Sequence, residues 1–204
     1  MFTGIITHQA VIDQITFNPQ RDAILTLRIA SATIDRKLEL GCSVSCNGIC
    51  LTLITLNKDR DDLLLSFQAS DETCQKTTLR DWQKDAIINI EFAMRLGDEF
   101  GGHLVSGHVD DISQITKITS VQDSWRFEFT IPSRLKKFIS PKGSITINGT
   151  SLTVNEVYDN IFSVNIINHT MQNTNFRFLK INHSVNLEID LIARYLEQIT
   201  KKYD

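Results

Sequence analysis

Thiol and imidazole side chains are the first groups in this sequence that could do chemistry near neutral pH. Cys50 lies in the motif Asn47-Gly48-Ile49-Cys50-Leu51-Thr52, and a thiolate is a strong nucleophile. His108 carries an imidazole, the side chain best suited to accept a proton near pH 7. These residues indicate nucleophilic and acid–base catalysis, with a small buried hydrophobic side chain as the alternative interpretation of Cys50.

A metal site is the other chemistry that these residue types suggest. Cys42, Cys46 and Cys50 recur at every fourth position. In an extended strand they would share one face and lie too far apart to bind one ion. His103 and His108 are separated by an odd number of residues, which predicts opposite faces of a strand. We therefore expect no metal cofactor, and we favour a structural role for His103.

The chain repeats itself. Residues 43–53 overlay residues 144–154 with an offset of 101, so that Cys50 falls on Ser151. Further along, residues 88–91 overlay 185–188 with an offset of 97, which predicts a longer loop around Asn57 to Asp62 in the first copy. Thr3-Gly4 falls on Ser106-Gly107, so His108 occupies the position that Ile5 has in the first copy. A period of about 100 residues indicates two tandem copies of a small domain.

Each copy is predicted to consist of short β-strands that position these groups. The candidate strands are the apolar or alternating runs at 24–29, 63–67, 86–90, 126–131 and 161–166. Asn-Gly turns at Asn47-Gly48 and Asn148-Gly149 predict tight hairpins. The expected fold is all-β, with two tandem six-stranded Greek-key barrels and a C-terminal α-helix. We assign residues 1–96 to the first barrel, 97–188 to the second and 189–204 to the helix.

The C-terminal pattern predicts an amphipathic helix that begins after Asp190 as N-cap. Its apolar stripe is Leu191, Ile192, Tyr195, Leu196 and Ile199, and Lys201 and Lys202 suit its C-terminal end. The stripe could pack on the chain's own second barrel, but contact with another subunit is the favoured interpretation.

Composition limits the partners. Hydrophobic residues make up 42% and charged residues 22% of the chain, and the net charge is −3. Such a composition is typical of a globular protein, and an acidic balance gives no reason to expect nucleic acid or a membrane surface as partner. The first residues lack the basic flank and apolar core of a signal peptide, so we expect a cytoplasmic location.

The segment from Gly97 to Asp110, Gly-Asp-Glu-Phe-Gly-Gly-His-Leu-Val-Ser-Gly-His-Val-Asp, is distinctive. Together with Met1-Phe2-Thr3-Gly4-Ile5-Ile6 and the two Asn-Gly-x-x-Leu-Thr hairpins, it closely resembles the riboflavin synthase family from Met1 to about Tyr195. The resemblance implies a transferase reaction in which two molecules of 6,7-dimethyl-8-ribityllumazine give riboflavin and 5-amino-6-ribitylamino-uracil by transfer of a four-carbon unit.

The resemblance also implies an assembly and a set of site residues. It implies no metal or redox cofactor, a homotrimer held by the C-terminal helices, active sites between barrels of neighbouring subunits, and an association with lumazine synthase. The implied catalytic residues are Phe2, Cys50, His108 and Ser151. The implied substrate-binding residues are Gly4, Ile5, Ile6, Ser43, Cys50, Leu51, Thr52, Gln68, Ala69, Ser70, Asp71, Glu72, Thr73, Gly107, His108, Val109, Lys142, Ser151, Leu152, Thr153, Asn165, Ile166, Ile167, Asn168, His169 and Thr170.

Some of these assignments have alternatives. Phe2 could be a strand residue that closes a barrel, and Lys142 could be a solvated turn residue. Thr174-Asn175 departs from Thr77-Thr78 of the first copy, which puts the second site's ribityl contacts in doubt. A non-catalytic relative that binds lumazine or flavin as an optical antenna is the nearest rival function. A flavin reductase would need a Rossmann domain, and an oligonucleotide-binding barrel would need paired basic and aromatic strands.

Overall fold

Two β-barrels and a C-terminal helix make up the structure, a computed structural model that describes residues 1–201. The first barrel contains β1 (His8–Phe17), β2 (Ala23–Ala30), β3 (Ser43–Cys46), β4 (Ile49–Asp59), β5 (Asp62–Ala69) and β6 (Ile87–Phe92). The second contains β7 (Asp111–Val121), β8 (Ser124–Thr130), β9 (Ser144–Ile147), β10 (Thr150–Tyr158), β11 (Ile161–Ile167) and β12 (Ser184–Ile189). The α-helices are α1 (Asp71–Lys76), α2 (Asn168–Asn173) and α3 (Leu191–Thr200).

Both barrels are closed, and their topology is the same. The first has the strand order β1-β2-β5-β4-β3-β6, and the second repeats that order with β7-β8-β11-β10-β9-β12. Alternate residues of each strand point inward, as Leu25 and Leu27 do on β2, and both are fully buried. The prediction of two six-stranded barrels with a terminal helix is therefore confirmed.

The sequence overlay predicted that a loop is longer in the first copy, and this prediction was wrong. Leu53 pairs with Phe67 across the β4–β5 hairpin, and Val154 pairs with Val164 across β10–β11, so the first hairpin is four residues longer. Both hairpins nevertheless turn through two residues, because Asp59 pairs with Asp62 and Tyr158 with Ile161. The extra residues lengthen both strands, since a paired strand satisfies its backbone hydrogen bonds and a loop does not.

The prediction that Cys42, Cys46 and Cys50 share one face was wrong, because the Asn47-Gly48 turn separates β3 from β4. Cys50 pairs with Ser45, which puts its side chain on the face opposite to that of Cys46. Cys46 is fully buried in the first core, where burial raises the pKa of its thiol well above the usual value. Within residues 1–201 no group of three or more metal-ligating side chains lies together.

Asparagine side chains join the two barrels. The Asn47 side chain accepts a hydrogen bond from the Asn89 backbone, and the Asn148 side chain accepts one from the Asn186 backbone. The amides then cross between barrels: Asn89 donates to the Asn148 carbonyl at 2.9 Å, and Asn186 donates to the Asn47 carbonyl at 2.8 Å. These four side chains are buried, and the two sets of hydrogen bonds are related by approximate twofold symmetry.

Asn175 belongs to this network. It is buried, and its amide donates to the Asn47 side chain at 3.1 Å. The position at which Thr174-Asn175 differs from Thr77-Thr78 of the first copy therefore lies at the junction between the barrels.

Helix α3 leaves its apolar stripe uncovered within the chain. Asp190 caps the helix by accepting a hydrogen bond from the Ile192 backbone, as predicted. On the other side of the helix, Arg194 pairs with Asp110 and Lys137 pairs with Glu197, so the polar face lies toward the second barrel. Ile192, Tyr195, Leu196 and Ile199 are 56–77% exposed, so packing of these four side chains on the chain's own second barrel was the wrong alternative. Lys202 lies outside the described residues.

No helix in residues 1–201 is long and apolar enough to cross a membrane.

Candidate active site

Cys50 and His108 meet in one cavity, although they come from different copies of the repeat. The cavity holds about 190 Å³, and its lining is Ile49, Cys50, Glu72, Thr73, Lys76, Thr77, Gly107, His108 and Val109. The backbone N–H of Cys50 donates to the Gly107 carbonyl at 2.8 Å, which fixes the segment 107–109 against β4. We call this cavity the Cys50 pocket. It contains a thiol, an imidazole, a carboxylate and an ammonium group.

The other copy forms a similar arrangement with different side chains. The backbone N–H of Ser151 donates to the Gly4 carbonyl at 2.8 Å, so the N-terminal segment packs against β10 of the second barrel. A cavity of about 400 Å³ begins two residues further along this segment, at Ile6, and Ser151 is not part of its lining, which is Ile6, Thr7, His8, Gln9, Ala30, Thr33, His169, Gln172 and Asn173. We call the region around Ser151 and this cavity the Ser151 pocket. Each pocket is thus built from both barrels of the chain.

Two glycines make these contacts possible. Gly107 has φ +76°, and a Cβ at this position would lie 2.6 Å from the Cβ of Cys50. Gly4 has φ +77°, and its Cβ would lie 2.6 Å from the Cβ of Ser151. The left-handed backbone and the close approach both require glycine. Thr3-Gly4 and Ser106-Gly107 are therefore equivalent in space as well as in the sequence overlay.

The cross-pairing shows where the copies differ. His108 belongs to the second copy but lies in the pocket of the first-copy Cys50, whereas Ile5 lies in the segment that packs against Ser151. Ile5 is 45% exposed. The Cys50 pocket therefore has both the cysteine and the histidine, and the Ser151 pocket has both the serine and the isoleucine that align with them.

His103 gives Ser151 a partner that the sequence did not suggest. Its Nδ1 lies 2.7 Å from the Ser151 hydroxyl, and its Nε2 lies 3.0 Å from the Thr146 hydroxyl. The segment around His103 is not a strand, so the predicted placement of His103 on a strand face opposite His108 was wrong.

Burial favours the neutral form of His103. Desolvation lowers the pKa of its imidazole, and the more distant Asp190 carboxylate opposes this effect only in part. A neutral imidazole has one N–H donor and one acceptor nitrogen. It can accept the Ser151 proton at Nδ1 while it donates to Thr146 at Nε2, which makes it a base for that hydroxyl.

We expect the neutral His103 to make stability depend on pH. Because its pKa in the folded chain lies below the unfolded value, the stabilising contribution is present above the unfolded pKa and is lost as pH falls through the folded pKa. The slope is at most one proton, about 1.4 kcal/mol per pH unit. Urea unfolding at about pH 7.5 and pH 5 should show a smaller pH effect in His103→Gln than in the unchanged chain. Equal losses in the two proteins would contradict a buried neutral His103.

The remaining predicted site residues divide by where their side chains lie. Those fully or largely buried in a barrel core or between the barrels are Phe2, Leu51, Ala69 and Ile166. Those half-buried are Ile6, Ser43, Asp71, Thr73, Val109, Leu152 and Thr170, of which Thr73 and Val109 line the Cys50 pocket and Ile6 lines the Ser151 pocket. Those exposed are Thr52, Gln68, Ser70, Glu72, Lys142, Thr153, Asn165, Ile167, Asn168 and His169. Phe2 forms a β-bridge with Val105, its own equivalent in the other copy.

The segments 68–73 and 165–170 end their strands and begin short helices. Ser70 caps α1 by accepting a hydrogen bond from the Thr73 backbone, and α2 begins at Asn168. Each helix contributes several residues to a cavity, and the predicted ones among them are Glu72 and Thr73 in the Cys50 pocket and His169 in the Ser151 pocket. One helical turn further on, Lys76 and Asn173 line the same two cavities, and neither residue was predicted.

Known proteins resemble this chain along nearly its whole length. The family model described as the lumazine binding domain matches twice, at residues 3–93 and 106–190. Riboflavin synthase of Brucella abortus is 40% identical over 98% of this chain and 98% of its own. Riboflavin synthase of Actinobacillus pleuropneumoniae is 36% identical over 99% of this chain and 91% of its own. The crystal structure of LumP complexed with 6,7-dimethyl-8-(1'-D-ribityl) lumazine is similar in fold, with a TM-score of 0.81, 23% identity, and coverage of 93% of this chain and 99% of LumP.

Proposed function

The chain belongs to the riboflavin synthase family, and we propose that it converts two molecules of 6,7-dimethyl-8-ribityllumazine into riboflavin and 5-amino-6-ribitylamino-uracil. One lumazine gives a four-carbon unit to the other, so the reaction class is that of a transferase. The two substrates are identical, and the electrons lost by one are gained by the other. The balance therefore needs no external oxidant or reductant.

One observation carries the proposal: the chain builds two related pockets whose chemical groups differ. A reaction between two copies of one molecule needs two similar binding sites, and the cross-pairing of Gly107 with Cys50 and of Gly4 with Ser151 supports two such sites. Positioning two reactants face to face can lower a barrier by roughly 7 to 11 kcal/mol. The duplicated domain supplies this positioning.

The groups in the pockets suit the proton transfers that the reaction requires. A methyl group of one lumazine must lose a proton, and ring carbon 7 of the other must accept a nucleophile. The Cys50 pocket offers the Cys50 thiol as nucleophile and the His108 imidazole as base. In the Ser151 pocket, the Ser151 hydroxyl is hydrogen-bonded to neutral His103, which can hold or return its proton.

Direct assay tests the function. Purified protein is incubated with 6,7-dimethyl-8-ribityllumazine, and riboflavin fluorescence is followed with time. Riboflavin formed in proportion to enzyme concentration, with one 5-amino-6-ribitylamino-uracil for each riboflavin, is the expected result. Tight lumazine binding without any riboflavin would contradict the enzyme and favour the antenna function; LumP, which is similar in fold, is a protein that was crystallised with this lumazine.

We further propose a homotrimer in which α3 supplies subunit contacts. The support is the exposed apolar stripe of α3 on a helix whose polar face is already bound by Arg194–Asp110 and Lys137–Glu197 pairs. An exposed patch of this kind on a polar-rimmed surface is typical of an interface. The proposed active site then forms between the first barrel of one subunit and the second barrel of its neighbour.

Leu196→Asp tests the trimer. Leu196 is 56% exposed on the stripe, and a carboxylate buried between subunits is costly. We expect the sedimentation coefficient to change from that of a trimer to that of a monomer. Activity should fall at least about tenfold at micromolar protein, because each active site would lose the half that the neighbouring subunit supplies. Val121→Asp, which places the same charge on an apolar side chain 40% exposed outside the stripe, serves as control. A Leu196→Asp monomer with full activity would contradict the shared site.

Two expectations complete the proposal. We place the enzyme in the cytoplasm, because its four free cysteines suit a reducing compartment. Association with lumazine synthase stays a prediction from the family resemblance.

A further inference from the structure

A buried carboxylate holds the segment that completes the Cys50 pocket. Glu188 lies near the end of β12 and is 2% exposed. Its Oε1 accepts hydrogen bonds from the Ser106 backbone at 2.7 Å and the Ser106 hydroxyl at 2.5 Å, and its Oε2 accepts one from the Gly107 backbone at 3.0 Å. Charge-assisted bonds of this kind are among the stronger ones in proteins.

From this carboxylate the hydrogen bonds continue to the backbone of Cys50 and of His108, the residues that carry the thiol and the imidazole. The Gly107 carbonyl accepts from the Cys50 backbone at 2.8 Å. The Ser106 hydroxyl accepts from the His108 backbone at 3.3 Å. Glu188 is thus connected to the backbone of Cys50 through Gly107 and to the backbone of His108 through Ser106, and it does not line the pocket itself.

Glu91 repeats the arrangement for the Ser151 pocket. It is 4% exposed near the end of β6. It accepts hydrogen bonds from the Thr3 backbone at 2.7 Å, from the Thr3 hydroxyl at 2.8 Å and from the Gly4 backbone at 2.9 Å. The Gly4 carbonyl then accepts from the Ser151 backbone at 2.8 Å. The two carboxylates are equivalent, but each serves a different pocket.

Folding alone does not account for charge at these positions. Both strands are otherwise apolar or hydrogen-bonded at their buried positions, and burial raises the pKa of each carboxyl despite its three donors. A buried carboxylate costs free energy that an apolar side chain does not. What the carboxylate adds is a fixed position for three N–H and O–H groups on a segment without regular secondary structure.

We propose that Glu188 and Glu91 are positioning residues of this reaction, Glu188 for the Cys50 pocket and Glu91 for the Ser151 pocket. The inference rests on the proposed function, and it adds that each pocket has its own carboxylate. Glu188 fixes where His108 stands relative to Cys50. Glu91 fixes where Gly4 and Ile5 stand relative to Ser151.

Glu188→Gln tests the proposal, because glutamine keeps the size of the side chain but replaces one acceptor oxygen by a donor. That donor would face an N–H or O–H of Ser106-Gly107, so the segment must shift. A misplacement of about 1 Å can cost on the order of 100-fold in rate. We expect kcat to fall by about that factor. Urea unfolding should show that the variant is still folded and unfolds cooperatively.

Double-mutant kinetics separate positioning from a general structural role. If Glu188 acts through the Cys50 pocket, Glu188→Gln combined with Cys50→Ser should be little slower than the slower single variant. Glu91→Gln combined with Cys50→Ser should instead show losses that multiply. Losses that multiply in both pairs would overturn the proposal, as would a Glu188→Gln enzyme with unchanged kcat.

Two further measurements keep the test decisive. If Glu188→Gln fails to fold, Ser106→Ala removes one of the three hydrogen bonds and its losses should again not multiply with those of Cys50→Ser.

Titration with riboflavin needs no turnover, and Glu188→Gln should bind it at least tenfold more weakly than Glu128→Gln, a control in a partly buried ion pair with Arg126. Absence of turnover in the unchanged chain contradicts the proposed function, whereas equal riboflavin affinity in these two variants contradicts the positioning role.

Discussion

Cys50→Ser is expected to lower kcat by about 100-fold while changing riboflavin affinity by less than about threefold. The two side chains are nearly the same size, so the pocket keeps its shape. The chemistry changes, because a hydroxyl is a far weaker nucleophile than a thiolate unless a base removes its proton. Ser151 has such a base hydrogen-bonded to it in His103 at 2.7 Å, whereas His108 lines the Cys50 pocket without a hydrogen bond to the Cys50 side chain among residues 1–201. A 100-fold loss corresponds to about 2.7 kcal/mol of barrier.

Steady-state kinetics with 6,7-dimethyl-8-ribityllumazine, and riboflavin titration for affinity, measure the two effects separately. Cys42→Ser is the matched control, because Cys42 packs against the first core and lies outside the Cys50 pocket. It should cost stability and leave kcat unchanged. Equal losses of kcat and affinity in Cys50→Ser would show that Cys50 only shapes the pocket.

The fold was predictable where local pattern decides it. Asn47-Gly48 and Asn148-Gly149 have positive φ at both residues, which two-residue hairpins with the right-handed strand twist require. Both turns were visible in the sequence, and so were the two copies. The helices α1 and α2 were not, because six residues are too few to show a helical period. The local signals for α1 were Ser70 as N-cap, acidic residues in the first turn and Lys76 in the last.

The site was predictable only in its residue types. Sequence overlay compares each copy with the other, so it pairs His108 with Ile5 and gives no sign that His108 packs against Cys50. That contact depends on how the barrels are placed, which the buried amides of Asn89 and Asn186 decide across the junction. No periodic pattern within one barrel encodes such a placement.

The positions of Glu91 and Glu188 in their strands are themselves a signal in the sequence. The overlay already aligned them, and a charged residue within an apolar strand is unusual because an unpaired buried carboxylate is costly. That conflict between residue type and strand position is a general mark of a functional or strained site. His103 had no such signal, because its contacts depend on a loop conformation.

Gly107→Ala is expected to abolish most of the activity, with kcat reduced by at least about 100-fold. The added Cβ would lie 2.6 Å from the Cys50 Cβ and 2.9 Å from its backbone nitrogen, so the segment or β4 must move. The substituted residue would also carry the strain of φ +76°, roughly 1 kcal/mol or more. Separation of Gly107 from β4 removes the hydrogen bond to Cys50 and carries His108 away from the thiol. Steady-state kinetics and riboflavin titration would record the loss of turnover and of affinity together.

Gly41→Ala separates the two causes, because Gly41 has φ +86° but no atom within 4 Å of an added Cβ. It shares the backbone strain and lacks the clash, and the equivalent position in the second copy holds Lys142 at φ +67°. We therefore expect Gly41→Ala to lose a small amount of stability and no activity. If both alanine variants lost activity to the same extent, backbone strain alone would explain the effect. The close packing of Gly107 on Cys50 would then not be what completes the pocket.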